Sequence, residues 1–173
     1  MAKHPIHFRF AFLALALASA LVLNACSNHA GIDGPAPRVS FKTLKSAAPI
    51  GINQLSKPLL VSFWSTSCGV CLQEMPHLAD IYNEFRPKGF EMVAVAMPFD
   101  RPSDVLELSE RNNWPFLVAL DLDNQVTESF GNIQVTPTAF LIDKNGHFVE
   151  KYIGAIDLDQ FRIRLATLVR TNS

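Results

Sequence analysis

Two stretches, Leu59–Trp64 (LLVSFW) and Phe90–Met97 (FEMVAVAM), are apolar almost without a break. Such runs suit strands buried on both faces, at the centre of a sheet. Val39–Leu44 alternates apolar and polar residues, as a half-buried strand does, and Pro49–Leu55 reads as a connector with room for a small strand. Cys71, Met75, Leu78, Ala79, Tyr82 and Phe85 recur at helical spacing, so a helix follows the first run directly, and Pro76 inside it is expected to bend it. Pro102–Asn112 is a second helix with Val105 and Leu108 facing inward, Phe116–Leu120 a short strand or extended segment, and Asn124–Phe130 a short helix. Thr138–Ile142 and His147–Ile153 read as a hairpin turning at Lys144-Asn145-Gly146. Asp157 caps the last helix with Gln160 at N3, Ile156 staples onto Phe161, and Leu158, Phe161, Leu165 and Leu168 form its apolar stripe. Strand–helix alternation followed by a hairpin predicts an α/β fold, a central mixed β-sheet flanked by helices on both faces.

The N-terminal pattern is of another kind. Lys3, His4, His7 and Arg9 precede an uncharged apolar run, Phe10–Leu23. At about 14 residues this run is short for a bilayer core of about 30 Å, and it reads as a secretory signal. Leu23-Asn24-Ala25-Cys26 resembles a bacterial lipoprotein box, with Asn24 a departure from the small or branched residue usual there. The resemblance implies cleavage after residue 25 and lipid on Cys26; the alternative is an ordinary signal peptide that leaves Cys26 a free thiol. Ser27 stands where an Asp commonly retains lipoproteins at the inner membrane, which leans toward the outer one. Residues 26–37, rich in Gly, Pro, Asn and Ser, read as a flexible tether, and residues 38–173 as one domain. The expected location is the envelope of a bacterium, with a periplasmic domain tethered to a membrane.

Two of the 15 basic residues precede Cys26 and all 16 acidic ones follow it, leaving the mature part at a formal charge of −3 with no basic run. Nucleic-acid binding is excluded on that ground. The cysteines number three. An odd count in an exported chain asks what the unpaired one does, and lipid on Cys26 with a redox pair at Cys68 and Cys71 accounts for all of them.

Cys68 and Cys71 lie between a buried strand and a helix. The orphan N–H groups and dipole at a helix start stabilise a thiolate, so Cys68 is the expected attacking sulfur and Cys71, one turn in, the buried resolving one. Two other uses of the pair compete with redox chemistry. A structural disulfide across so small a loop removes little unfolded-state entropy. A structural zinc site needs four ligands, and His77 is the only nearby soft candidate; His147 and the four Met residues show no ligand spacing either, and no cofactor is called for.

With these residues the chain resembles the thioredoxin superfamily, closest to its membrane-anchored TlpA/ResA-like branch, over about residues 36–170. Phe63-Trp64 ahead of CxxC resembles the family active site, Glu74 and Pro76 the branch's CxxCxxExP continuation, Val135-Thr136-Pro137-Thr138 the cis-proline segment, Phe140–Gly146 the strand and turn after it, and Gly154 a later glycine. The resemblance implies a cis Pro137, with Thr136 presenting backbone groups to a substrate beside Cys68. It also implies that Glu74 exchanges a proton with Cys71 or raises its pKa, and that Trp64 shields the site and contacts substrate. From the residues alone Pro137 reads rather as a trans proline opening an edge strand, while Glu74 also reads as a solvated surface carboxylate and Trp64 equally as core packing. Ser62 replaces the buried Asp of thioredoxin itself, Gly69-Val70 replaces Gly-Pro, and Ser67 replaces the Trp often found before the first Cys.

The function so implied is an extracytoplasmic thiol:disulfide oxidoreductase that reduces protein disulfides, for example in cytochrome c or metalloprotein maturation. It acts as a monomer on protein thiol and disulfide substrates and draws electrons from a membrane thiol transporter. The competing readings are a disulfide oxidase or isomerase on the same scaffold, and a copper-binding assembly factor using both thiols as ligands. A peroxidase is disfavoured, since the Pro-x-x-x-Thr-x-x-Cys pattern of peroxiredoxins is absent around Cys68.

Overall fold

The computed structural model describes residues 34–170; the stretch 1–25 that reads as a secretory signal and the expected lipidation site Cys26 lie outside the described residues. In chain order the elements are β1 (Ser40–Thr43), β2 (Ile50–Gly51), β3 (Leu59–Trp64), α1 (Gly69–Phe85), β4 (Glu91–Ala96), α2 (Pro102–Arg111), β5 (Leu117–Leu120), α3 (Gln125–Ser129), β6 (Thr138–Ile142), β7 (Phe148–Ile153) and α4 (Leu158–Arg170). The described strands form one seven-stranded sheet in the order β2-β1-β5-β4-β3-β6-β7. The β3–β4 and β4–β5 pairs are parallel and the others antiparallel, which is the mixed sheet expected.

The two continuous apolar runs are its centre. Every residue of β3 is buried, because β4 and β6 flank it and helices cover both faces. Alternate side chains of β3 divide between two cores. Leu60 and Trp64 join α1, α4 and Val105 of α2 on one face, while Leu59, Val61 and Phe63 join Val126, Phe130 and Ile133 on the other. The β3–α1–β4 and β4–α2–β5 crossovers step in the same direction across the sheet, and α1 and α2 pack on one face; among the described helices α3 covers the other.

Local expectations were met with adjustments. α1 runs through Pro76, which sits on its exposed side; one backbone bond is lost there, but the buried stripe from Cys71 to Phe85 keeps the helix continuous. Asp157 caps α4 through Oδ1, which accepts from the N–H of Asp159 and of Gln160, both at 3.1 Å. The deep stripe of that helix is Phe161, Leu165 and Val169; Leu158 and Leu168 are only partly buried at its flank. The hairpin turns by another geometry than a two-residue Asn-Gly turn. Only Gly146 takes positive φ (81°), its N–H closes on the Asp143 carbonyl at 3.0 Å, and the Asp143 carboxylate accepts from the N–H of Asn145 and His147. A single left-handed residue with a bulge in the following pairing is the longer-loop solution to the same hairpin.

The chain begins to pair before residue 38. Ala36 donates to the Gly146 carbonyl at 2.7 Å and Phe148 to that of Gly34 at 3.0 Å, so residues 34–36 are tied to the β6–β7 hairpin and do not belong to a free tether.

Candidate active site

The parallel strands β3 and β4 end together, Trp64 beside Ala96, with Met97 N–H donating to the Trp64 carbonyl at 2.9 Å. β6, antiparallel to β3, begins at that same end, Thr138 beside Phe63. Four loops therefore meet there: residues 65–68, 97–101, 133–137 and 154–157.

Cys68 is the N-cap of α1, with extended backbone (φ −86°, ψ 99°), and its Sγ accepts the Cys71 N–H at 3.2 Å. A sulfur occupies the position where a capping oxygen satisfies the orphan amides of a helix. Cys68 is half-buried, while Cys71, one turn into the helix, is 1% exposed among Met75, Leu78 and Trp64. The two sulfurs are bonded to each other as a disulfide, with the Cα atoms 5.2 Å apart. The expected division into a reachable and a shielded sulfur thus has a structural cause: the strand delivers one cysteine to the cap and the helical repeat turns the other inward.

Glu74 is 7% exposed, which removes the reading of it as a solvated surface carboxylate. Its Oε1 accepts the Ile156 N–H at 2.6 Å. Burial pushes its pKa above the ordinary carboxylate range; the Ile156 hydrogen bond and the positive potential of His77 oppose that push without cancelling it. Glu74 lies one turn beyond Cys71 on the same inward side of α1, and it also fixes the loop ahead of α4. A carboxyl protonated more readily in the folded than in the unfolded chain contributes stability that is complete below about 4.5 and is lost as pH rises through the folded value. Glu74→Gln keeps an acceptor for Ile156 and removes the charge. Its Tm relative to the parent, measured on oxidised protein, is expected to rise between pH 4 and pH 7; a difference that stays flat over that interval would contradict the assignment.

The Thr136–Pro137 bond is cis. Pro137 is buried, Thr136 is partly exposed, and the Gly154 N–H donates to the Pro137 carbonyl at 2.8 Å. Gly154 takes positive φ (85°) as the chain leaves β7. The bonds at Glu74–Ile156 and Gly154–Pro137 make one chain, from the cysteine helix through the β7–α4 loop to the proline loop.

Trp64 is placed otherwise than as a substrate contact. It is fully buried, edge-on to Trp114 with ring centroids 5.1 Å apart, and its Nε1 finds no acceptor. As the last residue of β3 it alternates onto the α1 face, so the indole packs behind Cys71 and does not reach solvent. Apolar side chains that do face outward at this end include Val70 in the first turn of α1, Phe99 and Val135 in two of the four loops, and Ile153 at the end of β7; Phe99 is 68% exposed.

Sequence reasoning passed over Asp100. It is 9% exposed, and its carboxylate accepts from Ser65 Oγ (2.9 Å), Thr66 Oγ1 (2.8 Å) and Thr66 N–H (2.9 Å), the residues just ahead of Cys68. It stands two residues before Pro102 but does not cap α2, whose cap position falls on Arg101; the carboxylate turns to the β3–α1 loop.

The chain matches the AhpC/TSA family over residues 32–151. It is 33% identical over 103 residues to the thiol-disulfide oxidoreductase ResA of Bacillus cereus, covering 57% of this chain and 56% of that protein. The chain thus spans little more than half the length of the first curated relatives it matches. A ResA of Oceanobacillus iheyensis is 31% identical over 134 residues, 75% of this chain and 68% of that protein. Among solved structures, a candidate thioredoxin from Neisseria meningitidis superposes with a TM-score of 0.72 at 33% identity, covering 80% of this chain and 91% of that one. By fold, active-site order and sequence, the chain belongs to the AhpC/TSA family, in the thioredoxin-like group that includes the ResA thiol-disulfide oxidoreductases.

Proposed function

We propose that this protein is an extracytoplasmic thiol:disulfide oxidoreductase that reduces protein disulfides. The observation that carries the reading is the Cys68–Cys71 pair at a strand-to-helix junction, one sulfur at the helix cap and half-buried, the other sealed beneath it. The names of the relatives, thiol-disulfide oxidoreductase, agree with that chemistry.

In the reducing direction the Cys68 thiolate attacks one sulfur of a substrate disulfide, forming a mixed disulfide and releasing the other substrate sulfur as a thiolate, which takes up a proton. Cys71 then loses its proton and attacks the Cys68 sulfur. The enzyme disulfide closes, and the second substrate sulfur leaves and is protonated. Two electrons and two protons have passed to the substrate. Glu74, next to Cys71 along the helix and protonated more readily than a surface carboxyl, is suited to receive the Cys71 proton and return it. Thr136 and Pro137 border the site on the side where a substrate chain would lie extended beside Cys68.

The basic start, short apolar run and lipoprotein-like box support export, cleavage before Cys26 and a lipid anchor that holds the domain at a bacterial membrane. Mass spectrometry of the mature N-terminus checks this, since an unmodified Cys26 would sink it. Outside the cytoplasm a dithiol stays reduced only if resupplied, so a membrane thiol transporter is the proposed electron donor and disulfides in maturing cytochrome c or other metalloproteins the proposed substrates. The direction is tested by equilibration with glutathione. A potential near −270 mV is expected of a reductase, and a value near −120 mV would reassign the protein as an oxidase.

A further inference from the structure

The stretch between β3 and the nucleophile is three hydroxyl residues in a row, Ser65-Thr66-Ser67, closed by Cys68 N–H donating to the Ser65 carbonyl at 3.0 Å. Asp100 holds this turn from the β4–α2 loop with the three hydrogen bonds described above. One detail of the network has a direction. A carboxylate oxygen accepts and never donates, so the single hydroxyl proton of Ser65, itself buried, is committed to Asp100 Oδ1. Ser65 Oγ lies 3.0 Å from Ser67 Oγ and 3.3 Å from Ser67 N. With its own proton engaged, Ser65 can only accept at those contacts. The Ser67 hydroxyl proton therefore points inward, along a relay from Ser67 through Ser65 to Asp100.

We infer that Asp100 is a positioning residue that sets the acidity of the Cys68 thiol by turning the Ser67 hydroxyl proton away from it. Ser67 is the residue directly before Cys68, and a hydroxyl proton free to face the sulfur would stabilise its thiolate. While the relay runs inward, the donors to that sulfur are helix amides such as the Cys71 N–H at 3.2 Å. Fewer donors mean a less acidic thiol, a less favoured reduced state and a pair poised toward the reducing end of the scale. The other charged groups in the first three turns of α1 and in the four loops are Glu74 and His77 on α1, Arg101 beside Asp100, and Asp157 ahead of α4; Asp80 and Glu84 lie further along α1, and Ile133–Pro137 carries none. The inference rests on dithiol exchange at Cys68 and not on its physiological direction.

Asp100→Asn tests it with little change of shape. Thr66 N–H still requires an oxygen, so the amide NH2 faces the two hydroxyls. Ser65 then accepts from it and donates to Ser67, and the Ser67 proton is released toward Cys68. The pH midpoint of Cys68 alkylation, measured on reduced protein with Cys71→Ala in both backgrounds, is expected to fall. In otherwise unmodified protein the equilibrium constant with glutathione is expected to shift toward the dithiol form by about threefold or more. Ser65→Ala, which leaves Asp100 bonded to Thr66, should move both quantities in the same direction. In a Ser67→Ala background the effect of Asp100→Asn should disappear. If Asp100→Asn and Ser65→Ala lower only the Tm and leave the alkylation profile and the equilibrium constant in place, Asp100 is a structural brace and the inference fails; it fails equally if the shift persists undiminished without the Ser67 hydroxyl. A parent protein inert toward glutathione and insulin would instead overturn the oxidoreductase reading itself, so the two failures are distinct.

Discussion

Cys68→Ser protein is expected to reduce insulin disulfides no faster than buffer, while Cys71→Ala protein accumulates substrates as mixed disulfides through Cys68. The two cysteines differ in what the fold lets each sulfur do. Cys68 caps the helix and is partly open to solvent, so it alone can meet a disulfide in another protein. Cys71 is sealed in the core cluster, reachable by the neighbouring sulfur to which it is bonded in the oxidised form. Its attack is intramolecular, and effective molarities for well-oriented intramolecular reactions reach about 10⁵ M or more, far above any free thiol. Removing Cys71 deletes this escape step without touching the first attack, so the intermediate persists. Non-reducing electrophoresis followed by mass spectrometry identifies the captured partners and the cysteine that holds them. Full insulin reduction by Cys68→Ser, or capture through Cys71 in its place, would contradict the assignment of roles.

The second large effect is expected at Trp64. Trp64→Ala empties a fully buried site between β3, α1 and Trp114, and such truncations cost about 3–5 kcal/mol. For a domain of this size that is on the order of 10 °C in Tm. Trp64→Phe refills part of the volume and should recover much of the loss, the more so because the indole N–H has no acceptor to give up. If Trp64 contacted substrate, truncation would chiefly raise the KM for insulin. Burial predicts the reverse: the melting temperature falls, and KM at a temperature where the variant is folded changes little. Thermal melts and steady-state kinetics on the same preparations separate the two, and a stable variant with a weakened KM would return Trp64 to the substrate surface.

Much of the fold was legible because its signals are local. Leu59–Trp64 and Thr138–Ile142 were read with the bounds the structure shows, since a buried strand writes its environment into every residue. The start of α1 follows from the strand-to-helix junction and not from periodicity, since Gly69 and Val70 are exposed and carry no apolar signal; that the Cys68 sulfur itself serves as the cap depends on backbone geometry. The Asn-Gly pair announced the hairpin correctly but not its turn, because the Asp143 carboxylate stabilises a longer loop in which only Gly146 needs a left-handed backbone.

The site divides along the same line. Spacing and context alone placed Cys68 at a helix start and Cys71 inside it, because both follow from a strand, a short loop and the 3.6-residue repeat. Long-range contacts had to be seen. Whether Glu74 is a surface charge or a buried acid depends on Ile156, which is remote in the chain, and whether Trp64 faces substrate or core depends on Trp114. Asp100 meets Ser65 and Thr66 only because β3 and β4 pair in parallel and end level with each other. The sequence by itself determined the sheet, the order of its elements and the reacting sulfurs, since these rest on periodicity and near neighbours. Which polar groups surround those sulfurs, buried and in what hydrogen-bonded direction, was decided by tertiary structure, because burial and pairing are properties of segments brought together from far apart in the chain.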